Sequence, residues 1–483
     1  MKSPAFGVGY ILTGTIRWDR SPKGRSLVRV SPELLRVSDG THLWSEPTED
    51  ELTGVFNIQS EVAERVAREL QVRLKAADES RLRVAPTTNF AAYDDYLHGR
   101  KLFDAGRISR AVPFFARATV ADPKFALAFA YLGRARTDEY WTGDDLTAGN
   151  LAAARKAIDS SIALNPSLPE AHAALGDFYY HGQLDYDKAL SEFSLVERLA
   201  PNNSDAASMK GYVERRQGRW AESTRDLRRA TTLDPRDPGI LGGLASGLLN
   251  LRDYEASDSM SRRMIELDST WAPAYGYLAN SILFRNADLD SALRLLRVGL
   301  RKTEPEQQLF LLDFIPVIVN RHDTVLLNHI RTMPTPSDPR GKSAYYANIA
   351  LLAHLEGDTA RMRVLSDSIM ANAVMYLRDP QMADDYADVG LAYALRGDRQ
   401  KAIQSFKRAL ASDWVARDAM RNAGVLIAFG YAAALVGDND DAIQAFQHAL
   451  AVPSLTSRVF LRWDPNLRQL RRDPRFQALI GVS

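Results

Sequence analysis

Hydrophobic positions along the chain recur with two different periods, and the change between them divides it. From Val8 to Trp18 and again from Leu27 to Leu35, β-branched and aromatic residues form runs separated by Ser21-Pro22-Lys23-Gly24, a pattern that predicts a β-hairpin. Asp39-Gly40 marks a second turn and Leu43-Trp44 a short third run. From Thr48, which stands at capping-box spacing from Glu51, the period lengthens. Leu52, Val55, Phe56, Ile58, Val62, Val66, Leu70 and Leu74 trace one stripe, predicting a helix from Thr48 to about Lys75. Two or three strands under one helix are few for an independent core.

From about Asn89 the helical period takes over and repeats. Asp122-Pro123, Asn165-Pro166, Ala200-Pro201 and Asp234-Pro235 each close a segment, their prolines 43, 35 and 34 residues apart, and Asp268-Ser269 continues at 34. Counting back from these points, an aromatic residue opens the segment (Tyr186, Trp220, Tyr254) and a large apolar one sits near its middle (Phe115, Ile158, Phe193, Leu227). Small residues flank that position (Ala111, Ala118, Ala154, Ala189, Ala230), on the same helix face. Upstream lies a large-then-small pair, Leu132-Gly133, Leu175-Gly176, Leu244-Ala245, Leu278-Ala279 and Val389-Gly390. The small member lets the next helix approach closely. Turns at Gly106, Gly182, Gly218, Gly357, Gly397 and Gly437 join the two helices.

The unit is clearest from Tyr386 to Trp414, with Gly390, Tyr393, Gly397, Ala402, Phe406 and Ala409, and next from Gly430 to Leu450, with Gly437, Ala442, Phe446 and Ala449. It resembles the tetratricopeptide repeat (TPR) family over about Asn89 to Ser454. The resemblance implies a mainly α fold, a TPR α-solenoid in which helix hairpins stack into a right-handed superhelix. One hairpin cannot bury its apolar stripe alone, so neighbours stack and leave a concave groove lined by the first helix of each pair. The motif fades between Glu304 and Ser343, and between Gly133 and Ala154 an insertion with Trp141, Gly143, Asp144 and Asp145 is expected to lengthen a turn. The anchors Ala402 and Ala442 are 40 apart, longer than the repeat.

The amino-terminal residues Tyr10-Ile11-Leu12-Thr13-Gly14-Thr15-Ile16, Val28-Arg29-Val30, Asp39-Gly40-Thr41-His42-Leu43-Trp44 and Phe56-Asn57-Ile58-Gln59-Ser60-Glu61 resemble the carboxyl half of the TolB amino-terminal type α/β module. That module usually begins with a further strand and helix, so the resemblance implies a fragment or a shortened gene product. In bacterial proteins it commonly stands before TPR arrays and after a kinase, cyclase or winged-helix output domain. The ending, Asp464-Pro465-Asn466 through Asp473-Pro474-Arg475-Phe476, resembles the terminal helix of those proteins. The expected organisation is a partial α/β module over 1–76, a linker over 77–90, about nine or ten repeats over 91–455, and a tail with a capping helix over 456–483.

Composition narrows the chemistry. Among 483 residues, 61 Lys+Arg against 60 Asp+Glu leave a net charge of +1, so no global field draws the chain to nucleic acid, and no direct nucleic-acid partner is expected. With no Cys, disulfides, thiol nucleophiles and cysteine-ligated metals are excluded. No apolar run approaches the ~20 residues of a membrane span, and Met1 to Gly9 carries no legible secretory signal. A cytoplasmic location is expected, or an extracytoplasmic one if the native chain carries an upstream membrane segment.

Catalytic motifs fail. Gly341-Lys342-Ser343 lacks the glycine a phosphate loop needs at position 336, which is Pro. The cluster Gly239, Gly242, Gly243 and Gly247 falls inside a repeat helix, where close packing is the simpler account. The eight His show no metalloprotease spacing, and the acid pairs Asp144-Asp145, Asp384-Asp385 and Asp440-Asp441 suit helix capping. Arg17, Arg20, Lys23, Arg25 and Arg29 make the hairpin locally basic, which suits a solvated edge that discourages strand pairing better than the alternative of a face toward phosphate or nucleic acid. No enzyme activity, cofactor or metal is expected. The repeat phase projects Tyr96, Arg100, Arg134, Asp177, Tyr180, Tyr212, Arg215 and Asn280 from the first helices toward the groove, and Tyr and Arg are enriched in binding hot spots; ordinary surface or inter-repeat packing is the equal alternative for each. The Lys/Asn carboxylate clamp of some TPR proteins is not supported, since Ala173 and Ser208 stand at the equivalent places. The expected function is a non-enzymatic scaffold that binds a protein or peptide in bacterial signalling. The alternative is the sensory half of a transcription regulator, cyclase or kinase whose output domain lies upstream.

Overall fold

The computed structural model describes residues 9–19, 27–51, 55–70, 85–336, 339–376 and 385–481. It divides into two compact units, residues 1–135 with 157–171, and residues 136–156 with 172–483.

In the first unit, β1 (Tyr10–Asp19) and β2 (Leu27–Arg36) form an antiparallel pair from Tyr10 opposite Arg36 to Asp19 opposite Leu27. The other edge of β2 carries β3 (Thr41–Trp44) near Leu34–Arg36 and β4 (Thr48–Glu51) at Leu27–Val30. Thr48 and Glu51 therefore do not open a helix: β2 has unpaired backbone groups there, and Thr48–Glu51 supplies their partners. The helix starts at Val55 and ends at Glu69. The Ser21–Gly24 turn, most of the 77–90 linker and Asp384 lie outside the described residues. Val28, Leu34, Trp44 and Ile58 are buried, but Leu12 and Ile16 remain 49% and 57% exposed. An apolar trough of about 610 Å³ stays open between β1, β2 and the helix. The Gln59 amide donates to the Tyr93 hydroxyl at 3.2 Å, which ties this helix to the first repeat.

The helical hairpins follow from the sequence pattern. Small residues sit where a side chain would collide: a Cβ on Gly176 would stand 2.6 Å from the Phe193 ring, and one on Gly390 2.6 Å from Phe406. Tyr186, Trp220 and Tyr254 each open the second helix of their pair. Asp185, Asp253, Asp288, Asp398 and Asp438 cap second helices by accepting a first-turn amide.

Three irregular places differ from expectation. The insertion after Gly133 lengthens the helix Ala126–Thr142 to 17 residues, so Trp141 lies on it and not in the turn. Where the motif fades, a 3-10 helix Pro305–Phe314 leads into Ile315–Asn320 and Thr324–Thr332. Leu311, Phe314, Ile315, Ile318, Leu326 and Ile330 are buried there, so apolar bulk does the work of the missing small–large contact. The extra residues between Ala402 and Ala442 form a short helix, Asp413–Arg417, ahead of Ala419–Leu435.

In the second unit these late hairpins return to earlier ones. The methyl group of Ala419 lies against Gly218, at the end of the helix Ser204–Arg216. The Asn250 carbonyl accepts from the Ser454 amide at 2.9 Å. Arg252 donates to the carbonyls of Ala449, Val452 and Thr456 at 3.0–3.2 Å. The Ser457 hydroxyl donates to the Phe284 carbonyl at 2.5 Å. On the earlier hairpins these contacts fall at the turn ends of the first helices, where residues 419–457 meet them.

Candidate functional site

The helix Ser204–Arg216 begins at Asn203, whose side chain accepts from the Ala206 amide, and Pro238–Asn250 begins at Asp237, with Pro238 in the first turn. These starts set the phase of two neighbouring helices, and the phase brings Tyr212 and Arg215 onto the glycine face of the second. A Cβ on Gly243 would fall on the Tyr212 ring. The ring lies there instead, with its hydroxyl donating to the Gly239 carbonyl at 3.2 Å. Close approach is thus the reason for the glycines, and the visitor is a side chain. From the other side comes Tyr277 of Ala272–Asn286, 3.6 Å from where a Cβ of Gly242 would stand and hydrogen-bonded to Ser246.

Arg215 sits between these tyrosines. Its guanidinium lies 4.7 Å from the centre of the Tyr212 ring, and Nη1 donates to the Gly243 carbonyl at 3.2 Å. Its Nε is shut away from solvent without an acceptor. Burial pushes its pKa below the ordinary arginine value; the charge of Arg216 acts in the same direction, and Tyr180, Tyr212 and Tyr277 oppose it. Burial also raises the Tyr212 and Tyr277 hydroxyls, so both are neutral donors near pH 7. Gly247, one turn beyond Gly243 on the same face, is buried, yet a Cβ there has nothing within 4 Å. The space above it is hollow. Asn280 lies one turn beyond Tyr277 and is partly buried.

In the second unit, two of the expected groove residues are packed away. Asp177 is 1% exposed and Tyr180 3%. The helix Pro169–Asp177 continues as a π turn over Phe178–Gly182, in which the Gln183 amide reaches back to the Phe178 carbonyl. One residue more per turn rotates the side chains of this segment away from the α-helical phase. Tyr180 then accepts from Arg216 Nε at 3.4 Å, and its ring centre stands 6.0 Å from that of Tyr186. His181 stacks on Trp141 at 4.5 Å with Asp138 3.5 Å away. The inward side of this cluster ends on Asp418, which no repeat phase indicated.

Tyr96, Arg100 and Arg134 belong to the first unit and come together there. Tyr96 is buried, 5.2 Å from Phe125 and 5.6 Å from Tyr131, centre to centre. Arg100 lies 4.3 Å over the Tyr131 ring and pairs with Asp104 at 3.2 Å; Arg134 lies 5.6 Å over Phe103. These are aromatic–guanidinium packings inside the first hairpins, with their charge already matched at Arg100. Gly341 to Ser343 lie within the helix Pro339–Leu355, where the Ser343 hydroxyl donates to Asp388 at 2.6 Å. Among the described residues no group of three or more acidic or His side chains is placed to hold a metal, and no helix is long and apolar enough to cross a membrane.

A tetratricopeptide repeat family model matches residues 144–204. The putative adenylate cyclase 3 of Rhizobium meliloti (strain 1021) is 29% identical over 182 residues, which are 36% of this chain and 29% of that protein. Cell division cycle protein 27 homolog A of Arabidopsis thaliana is 30% identical over 120 residues, 24% of this chain and 15% of that protein. The chain thus spans less than a third of these relatives. Among solved structures, a tetratricopeptide repeat protein from Parabacteroides merdae is 11% identical, with 62% of this chain and 98% of that one covered and a TM-score of 0.37. The Pseudomonas aeruginosa protein pilF is 17% identical, with 44% and 91% covered and a TM-score of 0.34. Residues 144–204 thus match the tetratricopeptide repeat, and the fold is a mainly α solenoid of helix hairpins preceded by a small antiparallel sheet.

Proposed function

We propose that this chain is a non-enzymatic scaffold that binds a protein or peptide segment against its first helices, in bacterial signalling or regulation. The observation that carries the reading is the lining along the helix Pro238–Asn250: Tyr212 against Gly243, Tyr277 beside Gly242, the Arg215 guanidinium on the Gly243 carbonyl, and open space over Gly247. Tyr and Arg on a rigid floor give contact area and directed hydrogen bonds at little entropic cost. Of the residues projected from the sequence, Tyr212, Arg215 and Asn280 are the proposed contacts.

The test is a photocrosslinking amino acid placed at Ser246 or Asn280, compared with one at the exposed Arg262 on the second helix of a pair. A partner captured in cells from the groove positions and not from Arg262 supports the reading. Equal capture from both, or none from the groove, overturns it.

A second reading has its own support in the partial likeness to a putative adenylate cyclase and in the TolB-like amino-terminal residues. In that reading the repeats form the regulatory half of a longer protein whose output domain lies upstream. Sequencing the gene through the codons before Met1 decides it: an open frame encoding a cyclase, kinase or winged-helix domain supports this second reading, and an in-frame stop ends it.

A further inference from the structure

Resting on the reading of this groove as a binding surface, we infer that its occupant is an acidic peptide segment, and that Arg215 receives a carboxylate from it.

The inference starts from a charge that the fold leaves unanswered. Arg216, the next residue, is matched by Asp418 at 2.9 Å. Arg100 is matched by Asp104, and Arg297 by Asp323 at 2.8 Å. Arg215 has no carboxylate partner among the described residues: its one directed bond goes to a helix carbonyl, and its Nε is buried without an acceptor. Arg215 is partly buried, and a partly buried guanidinium without an anion is less well compensated than a paired one, so an arriving carboxylate gains a charge-assisted pair there.

The surroundings say what kind of anion fits. The guanidinium fork matches a carboxylate in two parallel bonds. Tyr212 and Tyr277 lie beside it as neutral rings whose hydroxyls are already held by Gly239 and Ser246, leaving flat apolar faces suited to the aliphatic stem of a Glu side chain and to a peptide backbone. Gly247 leaves room for that backbone to lie on the helix, since nothing stands within 4 Å of where a side chain would begin. A small free anion would leave this hollow and both rings unused.

The probe is a fluorescein-labelled twelve-residue peptide of Glu, Ala and Leu, compared with its Gln-for-Glu counterpart on the full chain by fluorescence anisotropy. The wild-type chain is expected to bind the acidic peptide at least tenfold more tightly than the neutral one, with the difference shrinking as salt rises. R215M is expected to lose at least tenfold for the acidic peptide only. R215K keeps the charge without the fork and is expected to lose severalfold. G247L fills the hollow without touching the charge and is expected to block both peptides, with helicity checked by circular dichroism. Equal binding of the two peptides that G247L blocks overturns the acidic occupant while leaving the groove reading intact. Unchanged affinity in R215M, or in G247L, overturns the assigned site. Displacement of the acidic peptide by millimolar inorganic phosphate, lost in R215M, makes phosphate the anion and also overturns the inference. Binding of neither peptide overturns it as well, and the groove reading then stands or falls by the crosslinking experiment.

Discussion

Arg216 and Asp418, 202 positions apart in the chain, meet at 2.9 Å in the interior of the second unit. Asp418 is fully buried and its carboxylate is fully engaged: Oδ1 accepts from the amides of Met420 and Arg421 at 3.0 Å, and Oδ2 accepts from Arg216 and from the Tyr186 hydroxyl at 3.0 Å, with Arg421 Nε 3.3 Å away. One carboxylate thus caps the helix Ala419–Leu435 and fastens it to two early hairpins. Burial alone would weaken the Arg216 charge, but Tyr180 and Asp418 hold its pKa above the ordinary value. Asp418→Ala leaves Arg216 buried without an anion and is expected to cost about 3–5 kcal/mol. The check is urea unfolding followed by circular dichroism, with limited proteolysis showing faster cleavage in 411–420. A loss below about 1 kcal/mol would contradict the fastening role.

Gly176 and Gly247 stand at opposite ends of one scale. An added Cβ at Gly176 would stand 2.6 Å from the Phe193 ring, with no room to yield in a buried contact, whereas Gly247 has open space. Gly176→Ala is expected to destabilise by about 1–3 kcal/mol through overpacking. Gly247→Ala is expected to stabilise by about 0.5–1 kcal/mol, since the helix gains a residue with less backbone entropy to lose. Thermal melts of the two variants should move in opposite directions.

Arg252 adopts a left-handed backbone, with φ of 63°, and its guanidinium is spread over the last carbonyls of Asn439–Ala451 and the carbonyl of Thr456. Those carbonyls are the acceptors a helix end leaves open. Arg252→Ala removes charge-assisted bonds of about 1.5–3 kcal/mol each before relaxation and water replacement, so a net loss of roughly 2 kcal/mol is expected. Amide hydrogen exchange should quicken in 445–457 and stay unchanged in 90–121.

The sequence made the hairpins legible because their signals are local. Gly176 answers Phe193 and Gly390 answers Phe406 within one repeat, and each capping Asp acts on an amide three residues away. Local signals also misled. Thr48 and Glu51 have capping-box spacing, but β2 offered them strand partners, and tertiary pairing outweighed the cap. Tyr180 was projected on an unbroken α phase, and the π turn that starts at Phe178 breaks that phase; Asp177 precedes that turn and is buried on the α-helix itself. Asp418 gave no signal at all: its partner lies in another repeat, and only the fold brings them together. Tyr277 was missed for a smaller reason, since the phase picked Asn280 one turn later on the same face.

Glu214 contributes one pH dependence of stability. It is 3% exposed, and burial, followed by the nearby charge of Asp226, pushes its carboxyl up to about 7 against the opposing charges of Arg219, Lys210 and Arg225. In the unfolded chain the same group titrates near its ordinary value of 4.5. Between those values the native state holds a proton that the unfolded state has released, so stability falls as pH rises through this window. Below about 4.5 both states are protonated and the penalty is absent; above about 7 it is complete, on the order of 3 kcal/mol. Glu214→Gln keeps the neutral shape and removes the titration. The variant should match the wild type in urea unfolding at pH 4, exceed it at pH 8, and show a flatter profile between. A variant less stable than the wild type at pH 8 would mean that Glu214 is ionised in the native state and held by Arg219, 3.8 Å away.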